Sequence, residues 1–259
     1  MSTIKIALRQ VSKVYAGASA GGARGKALDE VTLDIAAGAI CVLMGLSGCG
    51  KSTLLRMMNG LAAPTSGQVL VDGRDLGAMT ERQLQALRRE GMAMVFQSFA
   101  LLPHRSVIDN AAFGLEIAGV ARAERRRRAG EVLEQVGLQA CADHFPHQLS
   151  GGMRQRVGLA RALAVNPSLL LMDEAFSALD PLTRREMQAL LRALQRERRC
   201  TIVFVSHDID EAQYLGDSIA VLHEGRLLQH AAPQALLDTP AHEHVRGFFA
   251  APAARMAHA

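Results

Sequence analysis

The stretch ICVLMGLSGCGKSTLLRMM, residues 40–58, decides the fold. An apolar run at residues 40–44 enters the glycine-rich loop GLSGCGKST, residues 45–53, of the form G-x-x-x-x-G-K-[ST], and a helical pattern follows. A loop between a strand and a helix directs backbone N–H groups and the positive helix end towards one point. This arrangement predicts a phosphate-binding site in an α/β domain.

Within this loop, each residue type has an expected task. Gly48 and Gly50 allow backbone angles and a phosphate approach that a side chain would block. We expect the Lys51 ammonium to reach the β- and γ-phosphates and the Ser52 hydroxyl to bind Mg²⁺. Cys49 is interpreted as a small residue in the loop. We expect thiol reagents that modify it to compete with ATP. The predicted nucleotide-binding loop consists of Gly45, Leu46, Ser47, Gly48, Cys49, Gly50, Lys51, Ser52 and Thr53.

Composition narrows the class of protein. A chain of 259 residues fits one large α/β domain, and none of its apolar runs approaches the roughly 18 residues that span a bilayer. Its start has no secretory pattern and its four cysteines show no metal-ligand spacing, so we expect a reduced, cytosolic setting. Although the net charge is +4, aromatics are 4% and Trp is absent, so we expect no nucleic-acid partner.

Short apolar runs without polar alternation predict parallel strands buried on both faces. They cover residues 92–96, 169–172 and 201–205. Further strand patterns lie at residues 4–11, 31–35 and 69–71, and a closing hairpin is predicted at residues 218–223 and 226–230.

Helices are predicted between these strands. Thr80 and Gln83 fit a capping box that opens a helix to about residue 90, and Asp180 before Pro181 opens another to about residue 196. No strand pattern occurs between residues 98 and 150, where helices are predicted at 106–118 and 124–136. Residues 16–26 are interpreted as a flexible loop and the chain after residue 249 as frayed.

Polar residues at strand ends supply candidate chemistry. Ligands bind at the carboxyl ends of strands in open α/β sheets. We expect Asp173 to hold Mg²⁺ through a water molecule and Glu174 to polarise the water that attacks the phosphate. Gln97 is expected to reach either the Mg²⁺ ion or the attacking water. His207 is expected to hydrogen-bond the γ-phosphate. On their own, Asp173 and Glu174 would also fit a pair of surface acids that close a strand. The phosphate loop favours the catalytic interpretation, because phosphoryl transfer needs both parts.

A second candidate anion site begins at Ser150. The Ser150 hydroxyl and the free N–H groups of a helix that starts with Gly151 and Gly152 can bind a phosphate. One chain therefore offers two phosphate-binding helix ends but one phosphate loop. The simpler alternative is a helix cap with nothing bound.

The sequence LSGGMRQRVGLARAL, residues 149–163, upstream of the strand ending in Asp173-Glu174, resembles the signature of ABC-type ATPases. The resemblance covers nearly the whole chain. It implies a P-loop NTPase (RecA-like) mixed-sheet core with an antiparallel β subdomain and an inserted α-helical subdomain. The implied ATPase domain is residues 1–240, with core segments 1–97 and 159–240, a signature subdomain 98–158, and a tail 241–259.

The same resemblance implies site roles. Tyr15 matches an adenine-stacking aromatic, although a strand-end surface tyrosine is the alternative. The signature of one copy covers ATP held by another, which implies a homodimer around two ATPs. The implied catalytic residues are Glu174, His207, Gln97 and Lys51, and the implied metal ligands are Ser52, Gln97 and Asp173. Outside the phosphate loop, the implied nucleotide contacts are Tyr15, Ser150, Gly151, Gly152, Gln155 and Asp180.

Importer features refine the resemblance. Residues 95–119 are similar to the region through which importer ATPases engage a membrane subunit's coupling helix. LMDEAFSALDPLTRREM, residues 171–187, resembles the version found in glycine betaine, proline and choline importers. The resemblance implies the ATP-hydrolysing subunit of a quaternary-amine importer at the cytoplasmic face of the membrane. Its implied partners are integral-membrane permease subunits and a separate extracytoplasmic solute-binding protein.

Two departures from this group are visible. Osmoregulated members often have a helical insertion before the phosphate loop and a C-terminal pair of CBS domains, and neither pattern is present. We therefore expect nutritional uptake rather than osmotic gating. The alternatives are an importer or exporter for another solute, an ABC ATPase acting on DNA or ribosomes, and a regulator without turnover. The arginine run at residues 125–128 is interpreted as a solvated helix face, with a contact to anionic lipid as the alternative.

Overall fold

The computed structural model describes residues 3–15 and 25–250. These residues form two compact units. Unit 1 combines the chain up to Met79 with the chain from Val203 onward, and unit 2 is residues 80–202. The signature subdomain predicted at residues 98–158 lies within unit 2.

Strands and helices alternate along most of the described chain. The strands are β1 (Ile4–Tyr15), β2 (Gly25–Ala36), β3 (Ile40–Met44), β4 (Ser66–Val71), β5 (Arg74–Asp75), β6 (Met92–Val95), β7 (Leu169–Asp173), β8 (Thr201–Ser206), β9 (Ser218–His223) and β10 (Arg226–Ala231). The helices are α1 (Lys51–Met58), α2 (Glu81–Gly91), α3 (Val107–Ala111), α4 (Phe113–Ile117), α5 (Arg122–Gln135), α6 (Gly151–Ala164), α7 (Pro181–Arg198), α8 (Ile209–Leu215), α9 (Pro233–Asp238) and α10 (Glu243–Ala250). Short 3₁₀ turns occur at Leu76–Ala78, Gln139–Cys141 and Pro146–Gln148.

Unit 1 contains antiparallel and parallel strand pairing. β1 pairs antiparallel with both β2 and β4, and β4 pairs with β5. All five residues of β3 are buried, and β3 runs parallel to β9, which forms the antiparallel hairpin with β10. The part of β8 in unit 1 adjoins β3. The fully buried β3 and β8 are consistent with their continuous apolar runs, because a parallel strand is covered on both faces.

Unit 2 combines a parallel strand pair with helices. β6 and β7 run in parallel register from Met92 opposite Leu169 to Val95 opposite Met172. α3, α4 and α5 pack on α6, and α5 buries Ala129, Val132 and Leu133, whose helical spacing places them on one face. The capping box of Thr80 and Gln83 is present at the start of α2, and Asp180 caps α7 ahead of Pro181.

Three elements differ most from the predictions. The helix expected at residues 106–118 is two short helices that meet at Ala112, although hydrogen bonds from Ala112 to Ile108 and from Glu116 to Ala112 continue the helical ladder. β2 begins at Gly25 and not at the predicted residue 31, because the polar segment before residue 31 also pairs with β1. The predicted tail contains α10, which buries Val245.

Two predicted segments lie partly outside the described residues. Of the flexible loop expected at residues 16–26, residues 16–24 lie outside the described residues, and the remainder belongs to β2. Residues 251–259 of the expected frayed end also lie outside them. Within the described ranges, no helix is both long enough and apolar enough to cross a membrane.

Candidate functional site

The predicted phosphate loop, residues 45–53, connects β3 to α1 in unit 1. Gly45 and Gly50 have φ angles of 150° and 102°. A Cβ atom on Gly45 would lie 2.2 Å from the Leu222 carbonyl oxygen, and one on Gly50 would lie 2.5 Å from that of Ala27. Only glycine therefore allows the loop to lie this close to neighbouring backbone. Gly50 is the N-cap of α1 and supplies no capping side chain, which suits an anion at this helix end.

Lys51 places a positive charge inside this loop. Its side chain is only 5% exposed. The Nζ atom donates hydrogen bonds to the carbonyl oxygens of Gly45 at 2.7 Å and Leu46 at 2.9 Å, and lies 3.9 Å from Cys49 Sγ. The ammonium is thus held by the loop itself, and its contact with a phosphate stays a prediction.

Cys49 is enclosed in the same loop. Burial raises the pKa of its thiol, although the neighbouring Lys51 ammonium acts in the opposite direction. The thiol is therefore protonated at neutral pH, and its thiolate fraction increases as the pH rises.

His207 follows β8 in unit 1 and its side chain is exposed. The turn that presents it is fixed by polar contacts. The Asp208 N–H donates to Ser206 Oγ at 3.0 Å, and Ser206 Oγ donates to Glu211 Oε2 at 2.5 Å. His207 and Leu46 of the phosphate loop line one cleft of about 790 Å³. The structure therefore brings the predicted histidine and the phosphate loop together.

Tyr15 is the last residue of β1 and is 38% exposed. The Nζ atom of Lys13 lies 5.2 Å from the centre of its ring, which is a cation–π distance. An exposed face at a strand end agrees with both interpretations of Tyr15, an adenine platform and a surface tyrosine. Adenine stacking stays a prediction.

Unit 2 brings the strand-end residues together. Asp173 ends β7, and Glu174 follows it with φ of 45°, a left-handed conformation that is uncommon outside glycine. Ser177 Oγ donates to the Glu174 carbonyl oxygen at 2.9 Å, and Gln97 Nε2 donates to Ser177 Oγ at 3.3 Å. A chain of hydrogen bonds therefore joins Gln97 to the Glu174 backbone.

Sequence reasoning identified Gln97 and Glu174 but gave Ser177 no role of its own. The spacing of three residues from Glu174 was the available signal, because a serine hydroxyl commonly bonds a carbonyl three residues earlier. The contact with Gln97 spans 80 positions and has no local sequence signal.

The signature begins as predicted. Ser150 caps α6, and its Oγ accepts a hydrogen bond from the Met153 N–H at 3.2 Å. A Cβ atom on Gly152 would lie 2.6 Å from Thr183 Cγ2 on α7. A Cβ atom on Gly151 would have no neighbouring heavy atom within 4 Å among the described residues. The two adjacent glycines therefore differ, because internal packing explains only the second.

Two other residues predicted to contact the nucleotide, Gln155 and Asp180, take part in the structure of this chain. Gln155 is fully buried on α6, and its nucleotide contact stays a prediction. Neither amide atom of Gln155 has a hydrogen-bond partner among the described residues. Asp180 Oδ1 accepts from the Thr183 N–H at 3.0 Å, and hydrogen bonding to Thr183 lowers the pKa of its carboxyl. The nucleotide contact of Asp180 stays a prediction.

The predicted metal ligands suit magnesium chemically. Ser52 offers a hydroxyl oxygen in unit 1. In unit 2, Gln97 and Asp173 follow and end the parallel strands β6 and β7. Hydroxyl, amide and carboxylate oxygens are hard ligands of the kind that Mg²⁺ prefers.

The arginine run on α5 is largely ion-paired. Arg125 lies 3.3 Å from Glu116, Arg126 lies 2.7 Å from Asp109, and Arg127 lies 2.8 Å from Glu124. These contacts support the interpretation as a solvated helix face, because carboxylates already balance the guanidinium groups that a lipid phosphate would need.

Comparisons with known proteins agree with these features. A family profile described as "ABC transporter" matches residues 28–177. The chain is 56% identical over 220 residues to the ATP-binding protein of the glycine betaine/proline betaine transport system of Salmonella typhimurium, covering 85% of this chain and 55% of the relative. It is 51% identical over 219 residues to the ATP-binding protein of the trimethylamine N-oxide transport system of Ruegeria pomeroyi, covering 85% and 64%.

A solved structure shows the same fold. The structure is a dimeric ATP-binding cassette, MJ0796, in a post-hydrolysis state bound to ADP and phosphate. It matches with a TM-score of 0.80 and 36% identity, covering 88% of this chain and 98% of that chain. The chain spans about half the length of the glycine betaine relatives that it matches.

The enclosed thiol generates a test of the phosphate loop. N-ethylmaleimide should modify Cys49 more slowly than the more accessible Cys141 at pH 7, and the Cys49 rate should increase as the pH rises. Mg-ATP should slow modification of Cys49 and leave Cys141 unaffected, as measured by mass spectrometry of labelled peptides. Equal Cys49 rates with and without ATP would contradict nucleotide binding at this loop.

Proposed function

Because this chain belongs to the ABC transporter family, we propose that it hydrolyses ATP to drive the import of a quaternary amine or related osmolyte, such as choline, glycine betaine or proline. The hydrogen-bonded arrangement of Gln97, Ser177 and Glu174 is the observation that best supports hydrolysis. The solute class rests on similarity to ATP-binding proteins named for glycine betaine and trimethylamine N-oxide transport.

Each of the proposed site residues has a separate role in hydrolysis. The Lys51 ammonium exchanges loop carbonyl oxygens for the β- and γ-phosphates, and the N–H groups at the start of α1 support them. Glu174 accepts the proton of the attacking water, which Gln97 orients, and His207 hydrogen-bonds the γ-phosphate. Mg²⁺ held by Ser52, Gln97 and Asp173 would neutralise charge on the phosphate oxygens.

The second anion site is completed by another copy of the chain. In the proposed homodimer, Ser150 and Gly151 of one copy cover ATP bound to the phosphate loop of the other. The empty space beside Gly151 supports this proposal, because packing among the described residues gives no reason for a glycine there. The matched cassette MJ0796 is dimeric.

A cleft in unit 2 is the proposed permease contact. It has a volume of about 450 Å³ and is lined by apolar Phe113 and Ile117 and by Arg88 and Arg89. Ile117 is 60% exposed. These accessible apolar side chains suit the apolar face of a short amphipathic segment of a permease subunit. We place the chain at the cytoplasmic face of the membrane, with a separate extracytoplasmic solute-binding protein completing the importer.

Replacing the proposed general base tests hydrolysis. Glu174→Gln should lower ATP turnover by at least about 10²-fold, the usual scale for a general base, and leave ATP affinity within about twofold. Steady-state phosphate release and binding of a fluorescent ATP analogue measure the two effects. The exposed Glu197 on α7 provides the control, because Glu197→Gln should retain turnover. Near-normal turnover in Glu174→Gln would remove Glu174 from this role.

The two adjacent signature glycines give a matched pair. Gly151→Ala should keep the Tm, because the added Cβ meets no described atom, but should lower turnover by obstructing the partner's nucleotide. Gly152→Ala should lower the Tm, because overpacking against Thr183 costs about 1–3 kcal/mol. Full turnover in Gly151→Ala would contradict the shared site.

Uptake tests the solute class. Cells that lack other such importers and carry this chain with its transport partners should take up labelled glycine betaine or choline. Cells that carry Glu174→Gln should not, because closure without hydrolysis stops the cycle. Equal uptake in both strains would leave ATP hydrolysis standing but reject quaternary amines as the solute.

A further inference from the structure

The loop after Gln97 has an unusual backbone. In the Gln97 loop, defined as residues 96–100, Phe99 and Ala100 have φ angles of 60° and 47°. Left-handed conformations are unfavourable for residues with a Cβ atom, and two in succession persist only where surrounding groups hold them. The loop therefore needs an external anchor.

Arg161 on α6 supplies that anchor. Its Nη1 atom donates to the Ala100 carbonyl oxygen at 2.5 Å, and its Nη2 atom donates to the Phe99 carbonyl oxygen at 3.0 Å. One planar guanidinium thus holds two successive carbonyl groups. Arg154 adds a weaker contact, with its guanidinium carbon 5.6 Å from the centre of the Phe99 ring.

The anchored residues immediately follow the proposed water-positioning side chain. Gln97 lies two residues before Phe99 and reaches Ser177, whose hydroxyl bonds the Glu174 carbonyl oxygen. A change in the backbone at Phe99 or Ala100 would move Gln97 relative to this network. The loop that carries Gln97 is therefore held by helix α6, mainly through Arg161.

We propose that Arg161 is a positioning residue for ATP hydrolysis, which holds the Gln97 loop in its left-handed conformation and so aims the Gln97 amide. The proposal rests on the role given to Gln97 in the proposed function. Arg161 also lines the cleft proposed for the permease, so its effect is measured in the assembled transporter. A lysine cannot replace it, because an ammonium lacks the planar fork that reaches both carbonyl oxygens.

A double-mutant cycle tests this positioning role. Arg161→Lys should lower kcat by about tenfold and leave the KM for ATP within about twofold, because the phosphate loop is untouched. In a Gln97→Ala background, Arg161→Lys should lower kcat by less than about twofold, because no Gln97 amide remains to be aimed. Arg127→Lys is the control, since Arg127 is an exposed residue of α5 paired with Glu124 and Glu131.

Relief of backbone strain gives a second readout. Glycine adopts positive φ without a Cβ penalty, so Ala100→Gly should reduce the need for the anchor. Adding Ala100→Gly to Arg161→Lys should restore at least about half of the lost kcat. A role of Arg161 only in folding predicts no such restoration.

Four results would overturn the proposal. In the first, Arg161→Lys retains normal kcat while Gln97→Ala loses it, which leaves the role of Gln97 intact. In the second, Arg161→Lys lowers kcat equally in both backgrounds, as expected if it only destabilises the chain. In the third, Ala100→Gly restores nothing. In the fourth, Gln97→Ala retains kcat, so that the assignment of Gln97 in the proposed function fails together with the anchor.

Discussion

The functional geometry depends on one constraint, the burial of the short parallel strands, which is complete in β3 and β8 and partial in β6, where Ala93 and Met94 are half-buried. All five residues of β3 and all six of β8 are buried, and only the final Asp173 of β7 is partly accessible. Polar side chains cannot lie within such strands without an unpaired group, so they follow at the strand ends. The phosphate loop follows β3, His207 follows β8, Asp173 ends β7 and Gln97 follows β6. Burial thereby fixes where reactive groups emerge in each unit.

Three of the residues with a strained backbone lie beside the proposed reaction centre. Phe99, Ala100 and Glu174 all have left-handed φ angles, at a cost of order 1–3 kcal/mol each. Hydrogen bonds from Arg161 and Ser177 to their carbonyl oxygens hold these conformations. The strain therefore preorganises Gln97 and Glu174 at the expense of stability, a common arrangement at catalytic sites.

Local patterns made most of the fold predictable. The strand, loop and helix of residues 40–58 are contiguous, so their order alone predicts the phosphate site. The α7 cap was equally local, because Asp180 and Pro181 are adjacent. The burial of Gln155 also had a signal that was not used: it lies four residues before the buried Leu159, on one face of α6. Helical spacing alone therefore predicts this burial.

The remaining features depend on contacts between distant positions. Arg161 meets Ala100 across 61 positions and Gln97 meets Ser177 across 80, and neither pair has a shared motif. The break at Ala112 between two helices and the burial of α10 likewise depend on tertiary packing. Sequence reasoning thus found the residues expected to contact ATP but not the residues that position them.

The central claim is that ATP closes two copies of this chain around a shared site. Light scattering of the Glu174→Gln chain with saturating Mg-ATP tests it most directly, because slowed hydrolysis preserves the closed state. The account predicts the mass of two chains with ATP and of one chain with ADP. The mass of a single chain under saturating Mg-ATP would contradict it.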